Sequence, residues 1–277
     1  MLLPSTTTPD GIRCNTIIKR YPGGSARIMA AERAIFRIPG YESVSWKKPD
    51  ADAREPPPAD PEAEYARAER LGIEGDGGPT AAEQAAAAAC LARAQRRAKA
   101  AVRDLALANA FRFFVTLTFD RQRVDRWNDR EVLRVTRNWL DNRVRRDGLA
   151  YVLIPERHKD GAIHFHGFFN DALPGVDSGR RTERGQIIYN LPGWSWGFST
   201  AIEVYGEYAG AVGYVCKYVT KGSEKVGGRW YYHGGNLQKP EVEYCRTDWA
   251  EVSEKADSKT IAALGCRICY FEAEGGE

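Results

Sequence analysis

Residues 150–169 read Ala150-Tyr-Val-Leu-Ile-Pro-Glu156-Arg-His158-Lys-Asp-Gly161-Ala-Ile-His164-Phe-His166-Gly-Phe-Phe169. Two runs rich in β-branched and aromatic residues flank Lys159-Asp160-Gly161. That combination predicts two strands, 150–156 and 162–169, joined as a hairpin. Side chains alternate along a strand, so His164 and His166 share one face and Phe165 takes the other. The chain has four histidines, and His158, His164 and His166 fall within nine residues. Glu156 ends the first strand and lies across the turn from the pair. Two imidazoles and one carboxylate from adjacent strands leave open coordination positions, which is a catalytic rather than a structural metal pattern. Surface histidines give the same His-x-His spacing, and it is Glu156 that favours the metal reading. His158 sits nearer the turn and is a candidate for DNA contact or for supporting the ligands.

The flanking sequence alternates between strand and helix patterns. In Arg112-Phe-Phe-Val-Thr-Leu-Thr-Phe119, Thr116 and Thr118 take one face and Val115, Leu117 and Phe119 the other. Residues 129–147 carry Val132, Val135, Trp139, Leu140 and Val144 at helical spacing. Residues 173–197 hold Pro, Gly and Ser and read as a long loop. A short strand follows at 198–205, then a helix over 207–221 ended by Gly222. This β-α-β-β-β-α order predicts an α+β fold, with a mostly antiparallel sheet that is open on one face or covered by helices.

On that last helix, Tyr214-Val-Cys-Lys217-Tyr218-Val-Thr-Lys221 sets Tyr214 and Tyr218 four residues apart, hence on one face. Lys217 and Lys221 share the same spacing beside it. A phenol with a pKa of about 10 is a weak nucleophile at neutral pH. A neighbouring cation favours its phenolate, so two such phenols offer two attacks in succession. A Tyr/Val stripe packed on a sheet would show the same spacing.

Charge is distributed unevenly. The net +3 divides into +4 over 1–40, −5 over 41–79, +8 over 80–146, +1 over 147–240 and −5 over 241–277. The basic block is mostly arginine, and it includes Arg121, Arg123, Arg126, Arg143, Arg145 and Arg146. Arginine clamps phosphate through two donors and stacks on bases, which suits a nucleic-acid partner; a solvated helical face is the alternative. Residues 49–62 hold five prolines and five acids and read as a linker. Gly75-Asp-Gly-Gly-Pro79 is a second break. Thr80 and Glu83 then form a capping box for a helix running to about Asn109. The segments are therefore an N-terminal segment 1–48, a linker 49–79, a basic helix 80–110, a core 111–240 and an acidic C-terminal tail 241–277.

Taken together, three of these segments resemble the HUH-type rolling-circle replication initiators (Rep endonucleases) of the two-tyrosine type, found in single-stranded DNA phages and plasmids. Phe113–Phe119 looks like their first motif. Glu156 with His164-Phe-His166 looks like their His-hydrophobic-His motif. Tyr214–Lys221 looks like their tyrosine motif, with YxxK occurring twice. Trp230-Tyr-Tyr-His-Gly-Gly235 resembles a segment downstream of it.

The resemblance spans 111 to about 240. It implies a central antiparallel sheet of the RRM/ferredoxin-like kind with helices on one side, the histidine pair on a central strand and the tyrosine helix against it. The remainder is expected to add a largely helical N-terminal extension. The resemblance also implies Mg²⁺ or Mn²⁺ on Glu156, His164 and His166, attack by Tyr214 or Tyr218 on single-stranded DNA at an origin, and Lys217 or Lys221 near the phosphate. A transposase or relaxase would use the same residues. A non-catalytic single-strand binder would use the tyrosines for stacking. A metal-dependent hydrolase would leave them idle.

The remaining expectations are brief. No Gly-x4-Gly-Lys-Ser/Thr occurs, so a host helicase and DNA polymerase are the expected partners. Residues 1–13 lack a secretory pattern and no run approaches a membrane span, so a cytoplasmic location is expected. Six cysteines then read as reduced thiols. Cys266-x-x-Cys269, with Cys245 and His233, is a minor candidate for zinc.

Overall fold

The structure is a computed structural model, and it describes residues 3–40, 80–204, 208–221, 224–254, 259–263 and 265–273. The linker expected over 49–79 lies outside the described residues, as do Gly222 and the side chain of Lys221.

The hairpin is β6 (Tyr151–Arg157) and β7 (Ile163–Phe169), antiparallel and in register from Tyr151↔Phe169 to Arg157↔Ile163. Its turn closes through Gly161 N–H donating to the His158 carbonyl at 2.9 Å, with Gly161 at φ 82°. On the other side of β7 lies β5 (Phe113–Thr118), again antiparallel. Gly167 is needed here, because a Cβ at this position would stand 1.9 Å from the Val152 carbonyl oxygen. With β8 (Val176–Arg181), β9 (Ile187–Asn190), β10 (Ser199–Glu203) and β11 (Tyr232–Gly234), these strands form a seven-stranded antiparallel sheet of order β11-β6-β7-β5-β10-β9-β8.

Helices cover both faces of this sheet, not one side as the resemblance implies. The odd face of β5 (Phe113, Val115, Leu117) packs with Phe165 and Phe169 against α2 (Asp129–Asp147) through Val132, Val135, Trp139 and Leu140. Asn128 caps the start of α2, accepting from the N–H groups of Arg130 and Glu131, and Gly148 at φ 73° ends it in the left-handed conformation. The opposite face carries Val152, Ile154 and Phe168. It packs against α1 (Ala81–Ala108) through Ala98, Val102 and Ala106, and against α3 (Tyr208–Lys221) through Val212, Val215 and Val219. The capping box of α1 is present, with Thr80 and Glu83 exchanging both bonds. No helix among the described residues is long and apolar enough to cross a membrane.

Two further segments differ from the sequence reading. Residues 173–197 are not all loop, because β8 and β9 form a hairpin there. Its signal is weak: β8 reads Val-Asp-Ser-Gly-Arg-Arg, lies mostly exposed and breaks register between Asp177 and Arg180. The N-terminal extension is largely helical only from Ala81 onward. Residues 3–40 instead hold β1 (Arg13–Cys14), β2 (Thr16–Arg20), β3 (Ala26–Ala31) and β4 (Phe36–Arg37). The β2–β3 hairpin turns at Pro22-Gly23-Gly24, with both glycines at positive φ. It pairs with the C-terminal segment, where β12 (Glu241–Cys245), β13 (Lys259–Ala263) and β14 (Cys266–Ala273) follow one another around α4 (Trp249–Ser253). The resulting five-stranded sheet has order β12-β2-β3-β14-β13. Asp104 of α1 joins it to the core, accepting from Lys19 and, at 2.8 Å, from the Tyr21 hydroxyl.

Candidate functional site

Register builds the site. Thr118, His164 and Glu156 are Cα partners across β5, β7 and β6, and Thr116, His166 and Ile154 form the next row on the same face. Each histidine is steered by a threonine: Thr116 Oγ1 lies 3.1 Å from His166 Nδ1, and Thr118 Oγ1 lies 3.2 Å from His164 Nδ1. An Nδ1–H donated to such an oxygen leaves the Nε2 lone pair free to bind a cation. The alternation Phe-x-Thr-x-Thr marks this face in the sequence, but it does not reveal that the hydroxyls orient the rings.

Glu156 reaches diagonally to His166 rather than to its direct partner. Its Oε2 stands 2.9 Å from His166 Nε2, with the side chains only 10% and 11% exposed. Two lone pairs at this separation in a nearly dry setting need a positive centre between them, either a proton on the ring or a cation bound by both. Adjacent donors around an octahedral ion with bonds of about 2.1 Å stand about 3.0 Å apart, so the pair fits a small divalent cation. His164 instead holds its ring against His158, centroids 4.0 Å apart. Burial first, then the neighbouring His158 and His166, lowers the His164 pKa to about 4, which keeps its ring neutral at pH 7. Among the described residues, no three His, Cys, Asp or Glu side chains stand together as a ready metal cluster. The structure thus brings Glu156 and His166 into contact, with His164 one residue pair away on the same face.

The tyrosine helix lies over this face. The Tyr218 ring stacks on His166, with centroids 4.2 Å apart and planes 13° apart. Its hydroxyl is 2.9 Å from the Tyr214 hydroxyl, and the two rings meet edge to face. Burial, the Tyr214 hydrogen bond and the Glu156 charge together raise the Tyr218 pKa. Tyr214 is half exposed and packs edge-on against Phe114. The Lys217 ammonium lies 5.9 Å from the centre of the Tyr214 ring.

The six arginines divide by position. The Thr118–His164–Glu156 row marks one end of the sheet and the Phe113–Phe169–Tyr151 row the other. Arg121, Arg123 and Arg126 lie between β5 and α2, in the loop leaving the site end. Arg126 pairs with Asp160 in the hairpin turn and lies over the Trp127 ring at 4.7 Å. Arg143, Arg145 and Arg146 occupy the last turn of α2, at the far end and on the opposite face. The cysteine grouping does not assemble. On β14, Cys266 packs with Ile268 in one cluster and Cys269 with Cys245 and Phe271 in another, because residues three apart on a strand face opposite ways. His233 belongs to β11 in the other sheet.

No curated protein and no solved structure matches the chain. Residues 112–223 match a family model described as a replication-associated protein of the ORF2 class. They run from β5 through α3 and carry Thr116, Thr118, Glu156, His164, His166, Tyr214 and Tyr218, and this likeness supports a replication-initiator family.

Proposed function

We propose that the chain initiates rolling-circle DNA replication as an HUH endonuclease of the two-tyrosine type. It nicks single-stranded DNA at an origin, keeps the 5′ end as a phosphotyrosine, and rejoins strands in a second attack. The observation that carries this reading is the stack of Tyr218 on His166 with Tyr214 hydrogen-bonded behind it. Surface histidines and a packing stripe give no reason for two phenols to converge on a histidine–carboxylate pair.

Tyr218 lies against the pair and is placed to attack first. Its oxygen bonds to phosphorus as the bond from phosphorus to the 3′ oxygen breaks. The phenolic proton leaves along the hydrogen bond to Tyr214, and the departing 3′ oxygen takes up a proton to become the free 3′-OH. Tyr214, now beside the phosphotyrosine, is placed for the second attack on an incoming strand. Lys217, and Lys221 one turn on, would offset negative charge at the phosphate.

Glu156, His166 and His164 would hold Mg²⁺ or Mn²⁺, the last after its ring turns from His158. A divalent ion there supplies polarisation of the scissile phosphate and favours the phenolate. A separate helicase and DNA polymerase would unwind the template and extend the 3′ end.

The test incubates the protein with labelled single-stranded oligonucleotides and Mn²⁺ and resolves the products on a denaturing gel. The wild type yields a protein–DNA adduct. His164→Ala yields none while still binding DNA at low salt. Adducts from a Tyr214→Phe/Tyr218→Phe double variant would refute the assignment of the nucleophiles.

A further inference from the structure

The face that carries the histidines continues past the helices. α1 and α3 lie over β6 and β7, whereas on the far side of β5 the same face runs on through β10, β9 and β8. The pairing Ser199↔Leu117 sets Phe198 opposite Thr118, and the Thr118 N–H donates to the Phe198 carbonyl at 2.8 Å. Phe198 therefore stands in the row of Thr118, His164 and Glu156, on the same face. Two inter-strand spacings, about 10 Å, separate its backbone from that of His164. Its ring is 79% exposed.

The shelf is mixed in character. Tyr189, the partner of Ala201, faces the α2 side and packs in that core. Its neighbours Ile188 and Asn190 consequently face the shelf, as do their partners Arg180 and Val176. Val176 is 52% exposed, and Arg180 and Asn190 are exposed as well.

An exposed phenyl ring with an arginine and an amide beyond it, on a surface continuous with a phosphate-handling row, has the chemistry of a single-strand track. Every base offers a π-face, so a ring there holds a strand without selecting its sequence. A protein partner that used Phe198 as an apolar anchor would want an apolar pocket around it, whereas its neighbours here include Thr118 and Thr200.

We propose that this shelf carries the DNA strand flanking the cleavage site, with a base stacked on Phe198 and a phosphate at Arg180. The proposal rests on the nuclease reading, and it adds a positioning residue outside the histidine and tyrosine motifs.

The test measures binding of the full chain, in EDTA to prevent cleavage, to an oligothymidylate and to a mixed-sequence oligonucleotide carrying 2-aminopurine. Salt is varied, and adduct formation with Mn²⁺ is followed in parallel. Phe198→Ala weakens binding about 5- to 150-fold, relieves the quenching of 2-aminopurine and leaves the salt slope unchanged, because stacking releases no counterion. Phe198→Tyr restores affinity to within about twofold, as both rings stack. Arg180→Ala shallows the salt slope by about 0.7. Unchanged affinity of Phe198→Ala in a protein whose wild type forms adducts would overturn the track and spare the nuclease reading. Lost affinity of Phe198→Ala in a protein that never forms an adduct would keep the track and overturn the nuclease.

Discussion

Thr116→Val removes one oxygen and keeps the shape of the side chain, and the structure sets the size of the consequence. The lost atom is the one 3.1 Å from His166 Nδ1, on a ring whose other nitrogen is already engaged with Glu156. Stranding a buried polar group costs about 1–3 kcal/mol. Thr116 is only half buried, so water recovers part of this, and about 1–2 kcal/mol remains as lost stability. The functional effect is larger, because a ring that is free to turn holds a cation less well. Removing such a supporting partner typically lowers metal affinity 10- to 100-fold. Urea unfolding reads the first quantity, and the Mn²⁺ concentration giving half-maximal cleavage reads the second. Saturating Mn²⁺ restores most of the rate, since the nucleophiles are untouched, and Thr116→Ser keeps wild-type behaviour in both assays. A Thr116→Val variant with unchanged Mn²⁺ dependence would show that the threonine does not orient the histidine.

Two further outcomes follow from the architecture. Phe165→Ala empties a site between Phe119 and Tyr232 on the α2 face, where the ring is 1% exposed. It costs about 3–5 kcal/mol in urea unfolding, and a loss below about 1 kcal/mol would contradict the packing described. Replacing Arg121, Arg123 and Arg126 with alanine shallows the salt slope of single-strand binding by about 2. The corresponding triple change at Arg143, Arg145 and Arg146 leaves the cleavage rate of a short single strand unchanged; a loss of rate there would place DNA on the α2 face.

The core was legible because its side chains alternate cleanly. Phe113 to Phe119 separates apolar from threonine positions without exception. The hairpin has a Gly turn, and Asp129–Asp147 has helical spacing. The β8–β9 hairpin was illegible because its strands are short and exposed and one is bulged, so no apolar alternation survives in β8. The five-stranded sheet escaped for another reason. Its strands come from opposite ends of the chain, and the acidic count of 241–277 hid buried positions such as Cys245, Cys269 and Phe271. In the site, parity was enough to gather Glu156, His164 and His166 on one face. It could not show that Glu156 bonds diagonally to His166, which depends on side-chain conformation. Nor could charge counting separate Arg121, Arg123 and Arg126 from Arg143, Arg145 and Arg146, since a helix carries the latter group to the other end of the sheet.

The central claim is that a tyrosine on α3 takes the 5′ phosphate. Its most direct measurement is mass spectrometry of the protein after reaction with a single-stranded oligonucleotide and Mn²⁺, followed by nuclease trimming and proteolysis. The account predicts a nucleotide-bearing peptide modified at Tyr218, shifting to Tyr214 in the Tyr218→Phe variant. Cleaved DNA with a free 5′ phosphate and no modified tyrosine would contradict it and assign the attack to water.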